Sequence, residues 1–295
     1  MSPPPAVLDP AIFDPAADES ADEATDESAH APDPGAGRAP SRQGPVSALV
    51  AFATFEVGRL VRSWKFLAIT VGFPVLFYLL FLGNHRGGAV VDGTVQWRVY
   101  LMVTMCSFGA LVAALNAGGT RLSMERASGW ARQLRVTPLP AWSYVATKIT
   151  ASMLVVLPVI VLVEAVAAGF GGVRLAAGTW VELTALLWGA SLPFAFLGVA
   201  VGFVVATEAA FPVVTGLMFV LGYFGGLFTP VNHLPGALQT AAHLLPSYHH
   251  ASLALALLDG NDPGLAHWLV LAGYVVALGL GIAWKHRAEE ARGIT

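Results

Sequence analysis

From Phe66 to Trp284 the chain is written in long apolar runs separated by short polar punctuation. A helix needs about 20 such residues to cross a hydrocarbon core about 30 Å thick. The pattern predicts six spans, roughly residues 66–82, 99–117, 144–170, 180–206, 209–228 and 265–284. Pro74, Pro158, Pro193 and Pro212 fall inside them, which bundled membrane helices tolerate. Short alternating strands of the kind a transmembrane barrel needs are absent from the pattern. The fold class read from the sequence is an all-α membrane protein.

Two further stretches have helical spacing. In residues 46–65, Val46, Leu49, Val50, Ala53, Val57, Leu60, Val61 and Trp64 make one face, and Glu56, Arg59 and Arg62 fall largely on another. This predicts a helix lying in the membrane interface. Between the fifth and sixth spans, Leu234, Ala237, Leu238, Ala241, Leu244 and Leu245 repeat helically between Pro230, Pro235 and Pro246. That segment is too short and too interrupted to span. It predicts one or two short re-entrant or interfacial helices packed on protein at the mouth of a pathway.

Composition agrees with the pattern. The 295 residues are 56% hydrophobic and only 12% charged, about half the charge of a soluble domain. The charges are segregated. Residues 1–37 hold nine acids (Asp9, Asp14, Asp18, Glu19, Asp22, Glu23, Asp26, Glu27, Asp33) and no Lys or Arg. With abundant Pro, Ala and Ser, that segment cannot bury a core and is expected to be disordered. It also lacks the basic start and apolar centre of a signal peptide. The domain reading is therefore a disordered acidic tail at 1–45, a six-span membrane domain at 46–286 and a short tail at 287–295.

Lys and Arg set the orientation. Arg38, Arg42, Arg59, Arg62, Lys65, Arg121, Arg126, Arg132, Arg135, Lys148, Lys285, Arg287 and Arg292 fall on one side of the predicted membrane; only Arg86, Arg98 and Arg174 fall on the other. Both termini are expected to be cytoplasmic in a multi-pass plasma-membrane protein. The Ala- and Gly-rich composition suggests a bacterial source.

Candidate chemistry is sparse. There is no GxxxxGK[ST] and no Gly-Lys pair, so this chain holds no nucleotide through a P-loop. HExxH and CxxC are absent, and the one cysteine, Cys106, lies in an apolar run where it reads as a small core residue. His233, His243, His249 and His250 cluster in the segment between spans five and six, without the Cys or acidic partners of a metal centre. No metal, cofactor or nucleic-acid site is expected. Glu164, inside the third span, is the costly kind of group that faces a bundle interior or a pathway. Asn116, near the end of the second, is a helix-packing contact or a pathway residue. A channel filter and a two-fold internal repeat are both missing. What remains is a subunit without an engine of its own: either the membrane part of a transporter or a non-transporting scaffold or sensor partner.

The segment "SMERASGWARQLRVTPLPAWSYVATK", residues 123–148, lies between spans two and three. The spacing predicts a short amphipathic helix over 125–135. Thr137 is then placed to cap a new helix whose first position is Pro138, where the missing N–H costs little. Glu125, Gly129, Leu134, Thr137, Pro138, Leu139 and Lys148 together resemble the corresponding segment of type-2 ABC exporter permeases. "GGLFTPVNHLPGALQTAAHLLPSYH", residues 225–249, resembles the outer segment of the same family. The resemblance covers about residues 46–286. It implies a half-transporter that pairs with a second permease, identical or homologous, and docks on a cytoplasmic ABC ATPase subunit that binds ATP and Mg. The chain itself is then no enzyme. Residues 121–144 would be the coupling segment, with Glu125, Arg126, Gly129, Arg132, Leu134, Arg135, Thr137 and Pro138 at the contact. Phe228, Pro230, Leu234, Pro235 and Pro246 would shape an outer gate. The cargo implied is a lipid or a lipophilic drug-like molecule moved out of the cell.

Overall fold

The computed structural model describes Gly58 and residues 64–83, 90–91, 95–128, 141–262 and 264–291. The acidic tail, most of the expected interfacial helix and residues 129–140 lie outside this set. Apart from turns and one hairpin of two two-residue strands, the described chain is helical. In order it runs α1 (Trp64–Leu82), β1 (Val90–Val91), β2 (Val95–Gln96), α2 (Trp97–Leu115), a π-helical turn (Asn116–Thr120) and α3 (Arg121–Ala127). Then come α4 (Ala141–Gly169), α5 (Ala177–Ala190), α6 (Leu192–Val204), α7 (Thr207–Phe224), a 3-10 turn (Val231–His233), α8 (Gly236–Ala242), α9 (Pro246–Leu258) and α10 (Leu265–Ala291). The strands pair antiparallel, Val90 with Gln96 and Val91 with Val95.

Among the described residues, five helical stretches are long and apolar enough to cross a membrane: Trp97–Ala127, Ser143–Gly169, Ala177–Val204, Thr207–Phe224 and Leu265–Lys285. In α1 the apolar part counted by the same measure, Thr70–Leu82, is shorter. The stretch through α2 is the axis of the bundle, 89% buried, whereas those of α7 and α10 are only 22% and 11% buried. Every residue of α2 from Tyr100 to Leu115 is buried, as a helix that is apolar all round must be. Against it pack α1, α4, α6 and α9. The bared sides of α7 and α10 carry Phe211, Phe219, Val220, Leu269, Val276, Leu280 and Trp284, the surface that suits lipid.

Two boundaries differ from the pattern. The expected fourth span is two helices meeting at Ser191, whose Oγ donates to the Leu187 carbonyl at 2.7 Å. Pro193 stands in the first turn of α6; lacking an N–H, it suits a helix start better than an interior. The second span is longer than expected. It continues through the π-helical turn into α3, so Glu125 belongs to the end of that helix and does not open a separate one. The helix stops at Ala127, where Ser128 N–H bonds to Met124 O and Ser128 Oγ to Glu125 O.

Around the π-helical turn, backbones of neighbouring helices come into direct contact. A Cβ on Gly198 would lie 2.5 Å from Ala114 O, and one on Gly202 would lie 2.7 Å from Gly118 O. Small residues let helix backbones touch in this way. Here they fix α6 directly against the α2–α3 rod. The signal is legible as GVAVG, residues 198–202, a GxxxG pattern that the reading by apolar length passes over.

Candidate functional site

The rod formed by α2, the π-helical turn and α3 connects two polar sites. One lies at its Tyr100 end and the other at its Glu125 end.

At the Glu125 end, consecutive side chains of α3 reach different helices. Residues one apart on a helix project about 100° apart. Glu125 turns toward α4, where Lys148 Nζ lies 2.6 Å from its Oε2. Tyr144 OH donates to the same oxygen at 3.5 Å, and Lys148 Nζ also sits 5.5 Å from the Tyr144 ring centroid. Both charges are buried, Glu125 with 8% and Lys148 with 3% of its surface exposed. Arg126 turns toward α6. Its Nη1 donates to Gly202 O at 3.2 Å and to Phe203 O, and its guanidinium lies 5.3 Å from the Phe203 ring centroid. These are the carbonyls that the end of α6 leaves unpaired, where a helix dipole favours a cation. Thr207, at the start of α7, donates to Ser123 O at 3.0 Å. Beneath lies a small apolar cluster of Leu122, Val199, Phe203 and Ile282.

Of the eight residues expected at a coupling contact, only Glu125 and Arg126 are described, and both side chains turn into the bundle. Gly129, Arg132, Leu134, Arg135, Thr137 and Pro138 lie outside the described residues. The pattern passed over Lys148 and Tyr144 as partners of Glu125, because a contact between residues 23 positions apart leaves no periodic trace.

At the other end, the chain leaving α7 is folded by glycines. Gly226 has φ +78°, and a Cβ there would meet Val231 Cγ2 at 2.5 Å. Tyr100 OH donates to Gly226 O at 2.9 Å, and Ser247 Oγ to Leu221 O at 2.7 Å. Phe228 enters an aromatic cluster, its ring 4.7 Å from that of Phe108 and 5.6 Å from that of Phe77. Pro230, Leu234 and Pro246 are buried and Pro235 is exposed. Pro246 opens α9, and Pro235 precedes α8. The five expected gate residues thus lie in one folded segment, although Phe228 points into the bundle. Two short helices stand there, α8 within the stretch of helical spacing and α9 beyond it. A cavity of about 140 Å³ lies behind the turn, lined by Tyr100, Thr104, Asn232, His243 and Tyr248 among others.

Two of the four histidines of this segment, His249 and His250, are structural fasteners. His250 is fully buried on α9. Its Nε2 is 2.9 Å from Leu187 O and 3.0 Å from Ser191 Oγ, and its Nδ1 is 2.9 Å from Ser107 Oγ. A carbonyl can only accept, so Nε2 bears the hydrogen. Burial pushes this imidazole down to about 4. His249 places Nε2 2.8 Å from His243 O and Nδ1 2.7 Å from Nδ1 of His267, at the start of α10. Burial lowers the His249 pKa as well. His267 and the Ser107–His250–Ser191 contact had no motif to announce them.

Within the spans, Glu164 on α4 accepts a hydrogen bond from Thr184 Oγ1 on α5 at 2.6 Å, and its Oε1 is buried with no partner among the described residues. Asn116 opens the π-helical turn. It donates to Val112 O at 2.9 Å and reaches Met218 Sδ on α7 at 3.7 Å. Cys106 is a buried free thiol.

Residues 89–284 match the model of the ABC-2 family transporter proteins. Over 236 residues, 80% of this chain and 96% of the relative, it is 27% identical to "Putative transport permease YvfS" of Bacillus subtilis (strain 168). With a family match over most of its length and five apolar helices in an all-α bundle, the chain belongs to the ABC-2 transporters, as a multi-pass membrane permease subunit.

Proposed function

We propose that this chain is the membrane half of an ATP-driven exporter. Two permeases form the pathway, and a separate cytoplasmic ABC ATPase, carrying ATP and Mg, docks on residues 121–144. The Lys- and Arg-rich end of the bundle faces the cytoplasm, α1 completes a set of six spans, and both termini are cytoplasmic in a bacterial inner membrane. The cargo is a lipid or lipophilic drug-like molecule moved outward. The segment between α7 and α10 shapes the outer gate through Phe228, Pro230, Leu234, Pro235 and Pro246. Glu164 and Asn116 are the polar groups nearest a pathway role.

The observation that carries this reading is the bonding of α3. The helix of seven residues at the start of the expected docking segment is tied to α4, α6 and α7 by Glu125, Arg126 and Ser123. A force applied there reaches most of the bundle. The family supports an ATPase as its source, and the missing P-loop supports a separate chain. The absence of any large outer domain in the sequence fits small or lipophilic cargo.

Purification from the native host in mild detergent, with mass spectrometry of co-eluting proteins, tests the reading. A stoichiometric ATPase carrying a P-loop is expected, and a second permease or none separates heterodimer from homodimer. Elution and crosslinking without any ATPase would sink the exporter reading and favour a scaffold or sensor partner. Once the complex is in hand, Arg132→Glu is expected to abolish stimulated ATP hydrolysis without removing the permease from the membrane.

A further inference from the structure

The helices on either side of residues 129–140 are joined by Glu125 on α3 and Lys148 on α4, 2.6 Å apart and both buried. The link to α6 is different in kind: backbones in contact at Gly198 and Gly202, with Arg126 on the last carbonyls. Close-packed backbones move together, because interiors are too dense to deform continuously. Thus α2, α3 and α6 form one body. Along its length α4 meets that body through apolar packing. At the Glu125 end the contact includes a buried charged pair, with Tyr144 donating to the shared oxygen.

We propose that the Glu125–Lys148 pair is the clasp that makes both ends of the docking segment move as one, so that a push on the segment drives α4 together with α3 and α6. Lys148 is thus a positioning residue for coupling that acts through Glu125. A buried pair suits the task. Both charges are held away from water, so separating them costs more than separating an exposed pair, and a contact made through water would yield far more easily. The inference rests on the reading that an ATPase docks on this segment.

The test uses the permease–ATPase complex in nanodiscs, with ATP plus vanadate as the probe and hydrogen exchange as the readout. In the wild type, nucleotide is expected to change exchange on both flanks, residues 121–128 and 143–152. With Lys148→Met the ATPase still co-purifies, and the response at 143–152 is lost while that at 121–128 persists. The charge-exchanged double variant, Glu125→Lys with Lys148→Glu, is expected to restore the response at 143–152. Where Lys148→Met does not accumulate, Lys148→Gln is read in the same way; it removes the charge but keeps a polar end. A variant that docks its ATPase and still responds on both flanks overturns the clasp alone. A wild-type permease that captures no ATPase overturns the docking reading, and the clasp's role falls with it.

Discussion

Ser107 and His250 stand 143 positions apart in the chain and 2.9 Å apart in space, Oγ to Nδ1. The imidazole bridges α2, which carries Ser107, to Leu187 on α5 and to Ser191 at the α5–α6 junction. It is the polar fastener of the segment proposed as an outer gate.

Replacing His250 by Leu is therefore expected to destabilise the protein by about 1–3 kcal/mol, the usual cost of leaving buried hydrogen-bonding groups without partners. Thermal unfolding in detergent reads the change. A midpoint equal to that of the wild type would mean that the fastener is idle.

The same residue gives a pH dependence with a fixed sign. Its imidazole is pushed from an ordinary 6.5 to about 4 by burial, so the folded state prefers the neutral ring. The stability it confers is complete above about pH 6.5 and falls as pH drops from there toward 4, because the unfolded chain takes up the proton first. His249, also held down by burial, acts in the same direction. Unfolding scans between pH 7.5 and 4.5 are expected to show stability falling with acid, less steeply in His250→Phe. An unchanged slope in that variant would assign the effect elsewhere.

Gly198→Ala should be among the most damaging small substitutions in the chain. Its new methyl would lie 2.5 Å from Ala114 O, and overpacking of a tight core costs about 1–3 kcal/mol. The control is Gly216→Ala, where nothing lies within 4 Å and removing a helical glycine is neutral or helpful. Yields of monodisperse protein and unfolding midpoints compare the two. Equal behaviour would refute backbone contact between α2 and α6.

Arg126→Met removes the cation from the last carbonyls of α6 but keeps much of the side chain's length. Hydrogen bonds to charged groups contribute about 1.5–3 kcal/mol, and Arg126 is partly exposed, so a loss near or below the lower figure is expected. Hydrogen exchange at residues 203–207 should quicken, and Arg126→Lys should recover part of the loss. Exchange at those residues identical to the wild type would remove Arg126 as their cap.

The sequence by itself determined that the chain is an all-α membrane protein, where most of its long apolar helices lie, and that short helical structure follows α7. The lengths of apolar runs, the spacing of Leu234 to Leu245 and the placing of proline are local properties, and a bilayer converts them directly into helices. Two motifs were enough to place the chain in its family. Only the tertiary structure decided that α2 is the axis, that the fourth span breaks at Ser191, and that Glu125 and Arg126 turn inward to Lys148 and to the end of α6. These depend on which helix lies beside which. An apolar run carries no record of its neighbour, because lipid and a packed helix are equally acceptable to Leu and Val. The polar contacts that choose between them join residues far apart in the chain, and they become visible only once the helices are together.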